Sequence, residues 1–198
     1  TIPGVIGVNN GGPVDAGNID ATDAGSLTLV ERLGLEVALD FVRVCRDYEV
    51  PGLEQCYLMR TGAAAAVRET RRIVGDYVLT LEDCCAGVEF PDVVARRYGA
   101  VDPAGSDSTK GIEMTSGHAY PYRSMLPRGV EGLLVAGRCG STTHMGQTAG
   151  KSMGNMMDLG QAAGVAAALA SKQSITPRAL DVKSIQAALV EMGVPLYR

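Results

Sequence analysis

Apolar residues recur every three or four positions between residues 27 and 48: Leu29, Leu33, Val37, Phe41, Val44 and Tyr48, with Glu31, Arg32, Glu36 and Arg43 among them. That period predicts an amphipathic helix, capped at its start by Asp23 or Ser26 and ended by Pro51-Gly52. Residues 53–59 read equally as helix or loop. Residues 76–80 read as extended chain, and Thr80 followed by Asp83 has the form of a capping box opening a short helix. Residues 92–98 read as strand or helical turn, and 102–117 as a long polar loop. Tyr120-Pro121-Tyr122 reads as extended, because the residue before proline avoids the helical region. The apolar run 133–137, Leu-Leu-Val-Ala-Gly, predicts a strand buried on both faces. A loop of small residues follows, and then a long helix over 154–171. Its Gly160 and Gly164 lie one turn apart on one face, which allows very close packing there against a sheet or a cofactor. A final helix spans 182–192. No internal repeat or linker interrupts the series, and the fold class is α/β, an α+β mixture of helices and short strands.

Composition narrows this only slightly. The chain has 198 residues, 46% hydrophobic and 20% charged, enough for one ordinary domain or a large part of a bigger fold. Its 25 glycines imply many tight turns and close backbone approaches. A net charge of −4 without a Lys/Arg cluster leaves no footprint for nucleic acid. No apolar run reaches the ~18 residues of a membrane helix. Five cysteines without Cys-x-x-Cys spacing argue for reduced thiols in the cytoplasm, against a disulfide framework or a zinc site. The chain opens at Thr1 without Met. It reads either as a trimmed start or as the new amino terminus of a processed polypeptide, cut by a protease or by attack of the Thr1 hydroxyl on the preceding carbonyl.

The chemistry-bearing constellation lies in the last third. A buried strand, a glycine-containing turn, a loop with Ser141, Thr142 and Thr143, and a helix with Gly154 at its start form either an ordinary strand–loop–helix unit or a ligand cradle. The helix amino terminus exposes unpaired N–H groups and partial positive charge, which suits an anion or an electron-rich carbonyl oxygen.

The segment YPYRSMLPRGVEGLLVAGRCGSTTHMGQTAGKSMGNMMDLGQAAGVAAALA, residues 120–170, resembles the carboxyl-terminal flavin-binding signature of the FAD-dependent oxidoreductase family. VRETRRIVGDYVLTLEDCCAGVEFPD, residues 67–92, is similar to that family's middle region, and VRVCRDYEVPGLEQCYL, residues 42–58, to the segment before it. The resemblance implies the carboxyl-terminal portion of a glutathione-reductase-like, two-domain flavoprotein with a Rossmann-type FAD domain. Residues 1–125 would then be mainly substrate domain or cap. Residues 126–175 would form the returning FAD-domain strand and flavin helix, and 176–198 a carboxyl-terminal helix. The family's pattern puts Gly137 and Arg138 against the FAD ribityl and phosphate region, with Cys139 and Ser141 in the same loop. It puts Lys151, Met153, Gly154 and Asn155 at the isoalloxazine edge. Lys151 stands where members often have Arg, Gly154 where they often have Pro, and Met145 replaces a common acidic residue. The Gly-x-Gly-x-x-Gly fingerprint that seats the FAD pyrophosphate is missing from the sequence. The expected partner is therefore a second polypeptide that carries it.

A hydride-transferring flavoenzyme with a small organic substrate needs a base. His118 and His144 are the two histidines, and either is a proton acceptor or a structural hydrogen bonder. Tyr122 and Arg123, in the extended Tyr-Pro-Tyr-Arg stretch, join them as candidate catalytic residues. Arg68, Arg71 and Arg72 clamp a substrate carboxylate or pair with Glu69 and Asp76, and residues 82, 83 and 89 read as solvated surface. The alternative to an enzyme is a non-catalytic subunit that supports a flavoprotein partner.

Overall fold

In the computed structural model the described residues are 3–8, 19–99, 101 and 117–197. Thr1, the Asn-Asn-Gly-Gly-Pro turn at 9–13 and most of the polar loop, 102–116, lie outside them. The chain forms two compact units, Thr1–Thr70 and Arg71–Arg198.

The first unit is built on α1, Ala24–Asp47. Asp23 caps it, its carboxylate accepting from Ser26 N–H at 2.7 Å. The expected inward stripe is rotated: Leu33, Val37 and Phe41 are half-buried, but Leu29, Val44 and Tyr48 are exposed and Cys45 is buried instead. Residues 53–59 form turns rather than a helix, held by Cys56 N–H to the Leu53 carbonyl at 3.0 Å.

The second unit is a mixture of helices and one small sheet. Its elements are α2 (Leu81–Ala86), β1 (Val93–Arg97), β2 (His118–Pro121), a 3-10 turn (Tyr122–Met125), α3 (His144–Thr148), α4 (Met153–Gln173), a second 3-10 turn (Pro177–Ala179) and α5 (Val182–Glu191). The capping box opening α2 is complete: Thr80 Oγ1 accepts from Asp83 N–H, and the Asp83 carboxylate accepts from Thr80 N–H. Residues 92–98 resolve into strand. β1 pairs antiparallel with β2, Arg97 opposite His118 and Ala95 opposite Tyr120, with an irregularity between Val93 and Ala95. Both strands are buried on both faces. The extended segment after Ile73 runs between two others. Asp76 N–H bonds the Leu126 carbonyl at 3.0 Å, and Leu79 N–H bonds the Ser141 carbonyl at 3.1 Å.

The strand expected at 133–137 does not form, and the glycine face of the long helix does not meet the sheet. Residues 133–137 form no strand, and Leu133 is 47% exposed. A strand is made by its ladder, and Val135 N–H to the Met125 carbonyl at 2.9 Å is a single link. In α4 the inward face is Asn155, Leu159, Ala162, Ala166 and Ala170. These alanines bring the helix against Val93, Val94 and Ala95 of β1 and Ile185 and Leu189 of α5, which share one buried core. Gly160 and Gly164 lie on the outward side, where an added Cβ meets nothing within 4 Å. Spacing set the face but not its direction.

Candidate functional site

The loop between Gly137 and Asn155 is shaped by bonds to the extended segment behind it. Thr143 N–H donates to the Leu79 carbonyl at 2.8 Å, and Thr143 Oγ1 caps α3 by accepting from Gly146 N–H at 3.0 Å. Gly150 has φ +74°, and a Cβ there would lie 3.0 Å from Asn155 Nδ2 and 3.2 Å from the Tyr98 carbonyl oxygen. Only glycine suits both the left-handed backbone and that approach. α4 then starts after Ser152, whose side chain makes no capping bond, and its first turn holds no acidic residue. Met153 is 85% exposed, and nothing lies within 4 Å of a Cβ at Gly154. The amino end of a 21-residue helix is thus accessible, with its orphan N–H groups and partial positive charge.

The residues expected at the cofactor divide into two sets. Arg138, Cys139, Met153 and Gly154 are exposed, and Gly137 and Lys151 half-buried. Ser141 and Asn155 are buried and spend their polar atoms on the main chain. Ser141 Oγ donates to the Tyr77 carbonyl at 2.7 Å and accepts from Gly75 N–H at 2.9 Å. Asn155 Nδ2 donates to the carbonyls of Tyr98 (2.6 Å) and Gly150 (2.9 Å), and its Oδ1 accepts from Tyr98 N–H at 3.0 Å. They set the shape of the loop and of the helix start. The accessible set leaves the uncapped helix terminus, free of acidic residues, open to an electron-rich group.

The four candidate catalytic residues differ in their surroundings. His144 is exposed at the first position of α3. His118 is 1% exposed on β2, and burial, with Arg97 beside it, pushes its pKa down to about 3. Tyr122 is buried and donates to the Pro177 carbonyl at 2.9 Å. Burial pushes its phenol up to about 12. Arg123 Nε and Nη2 donate to Asp92 at 2.9 and 3.2 Å, and its guanidinium lies 5.1 Å from the centre of the Tyr77 ring. These bonds hold Arg123 fully charged, above its ordinary pKa.

Of the remaining ionic expectations, that for Asp76 changes. Arg72 Nε donates to the Thr142 carbonyl at 3.0 Å, while Asp76 pairs with Arg178. Asp83 and Glu89 are not free surface. Asp83 accepts from Tyr77 Oη at 2.8 Å, and Glu89 pairs with the nearly buried Arg96. All five cysteines are free thiols, Cys84 and Cys85 included. The sequence reading missed Asp92 and the buried Arg97. The doubled arginine at the end of a strand was the only visible sign of the latter.

Among the described residues, no helix is long and apolar enough to cross a membrane, and no cluster of His, Cys, Asp and Glu could hold a metal ion. No match to this chain was found among curated proteins or solved structures. A family model described as "FAD dependent oxidoreductase" matches residues 3–189, nearly the full length. The accessible helix terminus and its glycine-rich loop thus stand in a chain that belongs to the FAD-dependent oxidoreductase family, which supports a role in flavin redox chemistry.

Proposed function

We propose that this chain is the carboxyl-terminal part of a glutathione-reductase-like flavoprotein. A second polypeptide bearing the Gly-x-Gly-x-x-Gly half completes it, and the assembly oxidises a small organic substrate at a C–H next to oxygen, nitrogen or carbon. The amino end of α4 carries the reading. It is uncapped by any side chain, free of acid in its first turn and open at Gly154. Such an end stabilises negative charge.

FAD, when bound, supplies the two-electron acceptor for substrate hydride. Lys151, Met153 and Gly154 hold the electron-rich edge of the ring, while Gly137 and Arg138 hold the ribityl and phosphate region. Ser141 and Asn155 keep this loop in register through their main-chain bonds. Of the two histidines, His144 is the proton acceptor in this reading, because it is exposed beside the same loop. His118 is too weak a base, with its pKa at about 3. A reducing, cytoplasmic setting suits five free thiols.

Substitution at Gly154 tests the placement. Gly154→Pro keeps flavin bound and active, since the residue's N–H has no intrahelical partner and proline suits a helix start. Gly154→Asp lowers the flavin midpoint potential and slows its reduction by putting negative charge beside the electron-rich edge. An unchanged potential in the Asp variant removes α4 from the flavin. The chain alone binds FAD weakly in equilibrium dialysis and tightly once the second polypeptide is added. Tight stoichiometric binding by the chain alone refutes the partner.

A further inference from the structure

One face of the β1–β2 sheet carries polar side chains whose bonding capacity is not used. Arg97 stands opposite His118, and Tyr120 opposite Ala95. Directly opposed residues share a face, so Arg97, His118 and Tyr120 lie together. Arg97 is 0% exposed, and His118 and Tyr120 are each 1% exposed. Arg97 donates from Nε to the Gly150 carbonyl at 3.1 Å and from Nη2 to the Gln147 carbonyl at 3.3 Å. Its Nη1, both ring nitrogens of His118 and the Tyr120 hydroxyl have no hydrogen-bond partner among the described residues. The guanidinium carbon lies 5.8 Å from the centre of the Tyr120 ring. The backbone closes over the hydroxyl at Gly140, where a Cβ would sit 2.6 Å from Tyr120 Oη.

Among the described residues, charge on this face is unbalanced. Arginine keeps its proton in proteins. Among the described residues, the ionisable groups acting on Arg97 are Tyr120 and Cys84, and burial pushes each up to about 12. Both are therefore neutral at neutral pH, as is His118. A dry interior that holds a cation without a counter-charge, beside donors without acceptors, is costly on both counts. Most such groups in native proteins are paired, by protein, by ordered water or by an ion.

We propose that Arg97, His118 and Tyr120 form an internal anion site that takes one small monovalent anion, a halide or one oxygen of a small carboxylate. A small anion suits a face closed to solvent. Arg97 Nε and one Nη2 hydrogen are spent on two main-chain carbonyls, and Nη1 is the end of the guanidinium without a partner among the described residues. A single charge matches the one buried cation described on this face. His118 and Tyr120 each add one donor to the same face.

The test uses the full chain, exchanged into gluconate at constant ionic strength and titrated separately with chloride and with formate. Thermal unfolding reads the result. The expected outcome is a saturable rise in Tm, and the anion that saturates at lower concentration identifies the occupant. Tyr120→Phe keeps the ring and removes one donor. It raises the concentration for half-effect roughly tenfold, yet leaves the Tm in gluconate unchanged or higher because the orphan hydroxyl is gone. A tyrosine of merely structural importance would lower the Tm in gluconate too. Bromide-soaked crystals show an anomalous peak beside Arg97 Nη1. Equal Tm in all three anions, or equal responses in wild type and Tyr120→Phe, overturns the site. Either result is what bound water or general salt screening produces.

Discussion

Replacing Asn155 by Leu keeps side-chain volume and removes every bond the amide makes. Three contacts disappear: Nδ2 to the Tyr98 carbonyl, Nδ2 to the Gly150 carbonyl, and Tyr98 N–H to Oδ1. They do not count equally. The Gly150 carbonyl keeps Arg97 Nε at 3.1 Å, so its loss is partial. The two Tyr98 groups lose the amide that pairs with them, and Asn155 itself is 5% exposed. At about 1 kcal/mol net per hydrogen bond, more where a buried group is left unpaired, the expected loss is about 2–3 kcal/mol. That corresponds to a fall in Tm of about 5–10 °C for a chain of this size. Asn155→Asp keeps the acceptor for Tyr98 N–H but sets a carboxylate against two carbonyl oxygens. Its favourable interaction with the helix terminus, about 0.3–1 kcal/mol, does not offset that repulsion, so Asp is at least as damaging as Leu at neutral pH. Urea unfolding of the two variants and wild type gives both numbers. A Leu variant within about 0.5 kcal/mol of wild type, the usual range of a neutral surface change, refutes the clamp at the start of α4.

Arg123→Lys loses the paired bonds to Asp92 and the stacking over Tyr77. Because Arg123 is half-exposed, the expected cost is about 1–2 kcal/mol. A double-mutant cycle with Asp92→Asn measures it, and a coupling near zero removes the pair from the account. His118, held at about 3 by burial and then by Arg97 instead of its ordinary 6.5, takes up a proton in the unfolded chain but not in the folded one between those values. Stability therefore falls as pH drops from about 6.5 toward 3, with a slope approaching ~1.4 kcal/mol per pH unit for this one proton. His118→Asn flattens the profile in halide-free buffer, and an unchanged slope assigns the proton elsewhere.

The sequence made the helices legible because their signals are local. The capping pair Thr80 and Asp83 is spelled out in four consecutive residues, and α5 begins where Asp181 can accept from Lys183 N–H. What failed depends on neighbours. An apolar run such as 133–137 does not say whether a second strand lies beside it. In α4, glycines at 160 and 164 and alanines at 162, 166 and 170 are spaced alike, and only packing against β1 decides which faces inward. At the candidate site, the loop and the helix start were readable from glycine and small-residue chemistry. The separate duties of its polar residues were not. Ser141 and Asn155 look like ligand donors in sequence, but the carbonyls they bond belong to residues of any type. Arg97 carried no signal beyond the doubled arginine, and His118 read as a proton acceptor or a structural hydrogen bonder, because nothing local marks a strand as buried on both faces.

Across the second unit, buried side chains repeatedly end on main-chain carbonyls: Arg96 on Leu196 at 2.7 Å, Gln186 on Pro91 and Val93 at 2.9 and 3.0 Å, and Tyr122 on Pro177 at 2.9 Å. A carbonyl is common to every amino acid, so these links ask nothing of the accepting residue's identity. Over evolutionary time the two ends should therefore drift at different rates. Substitution at 91, 93, 98 or 196 leaves the bond in place as long as the backbone path persists, whereas substitution at 96, 155 or 186 breaks it at once. Such asymmetric pairs leave no trace of covariation, and contact inference from paired substitutions will pass over the bonds that hold this unit together.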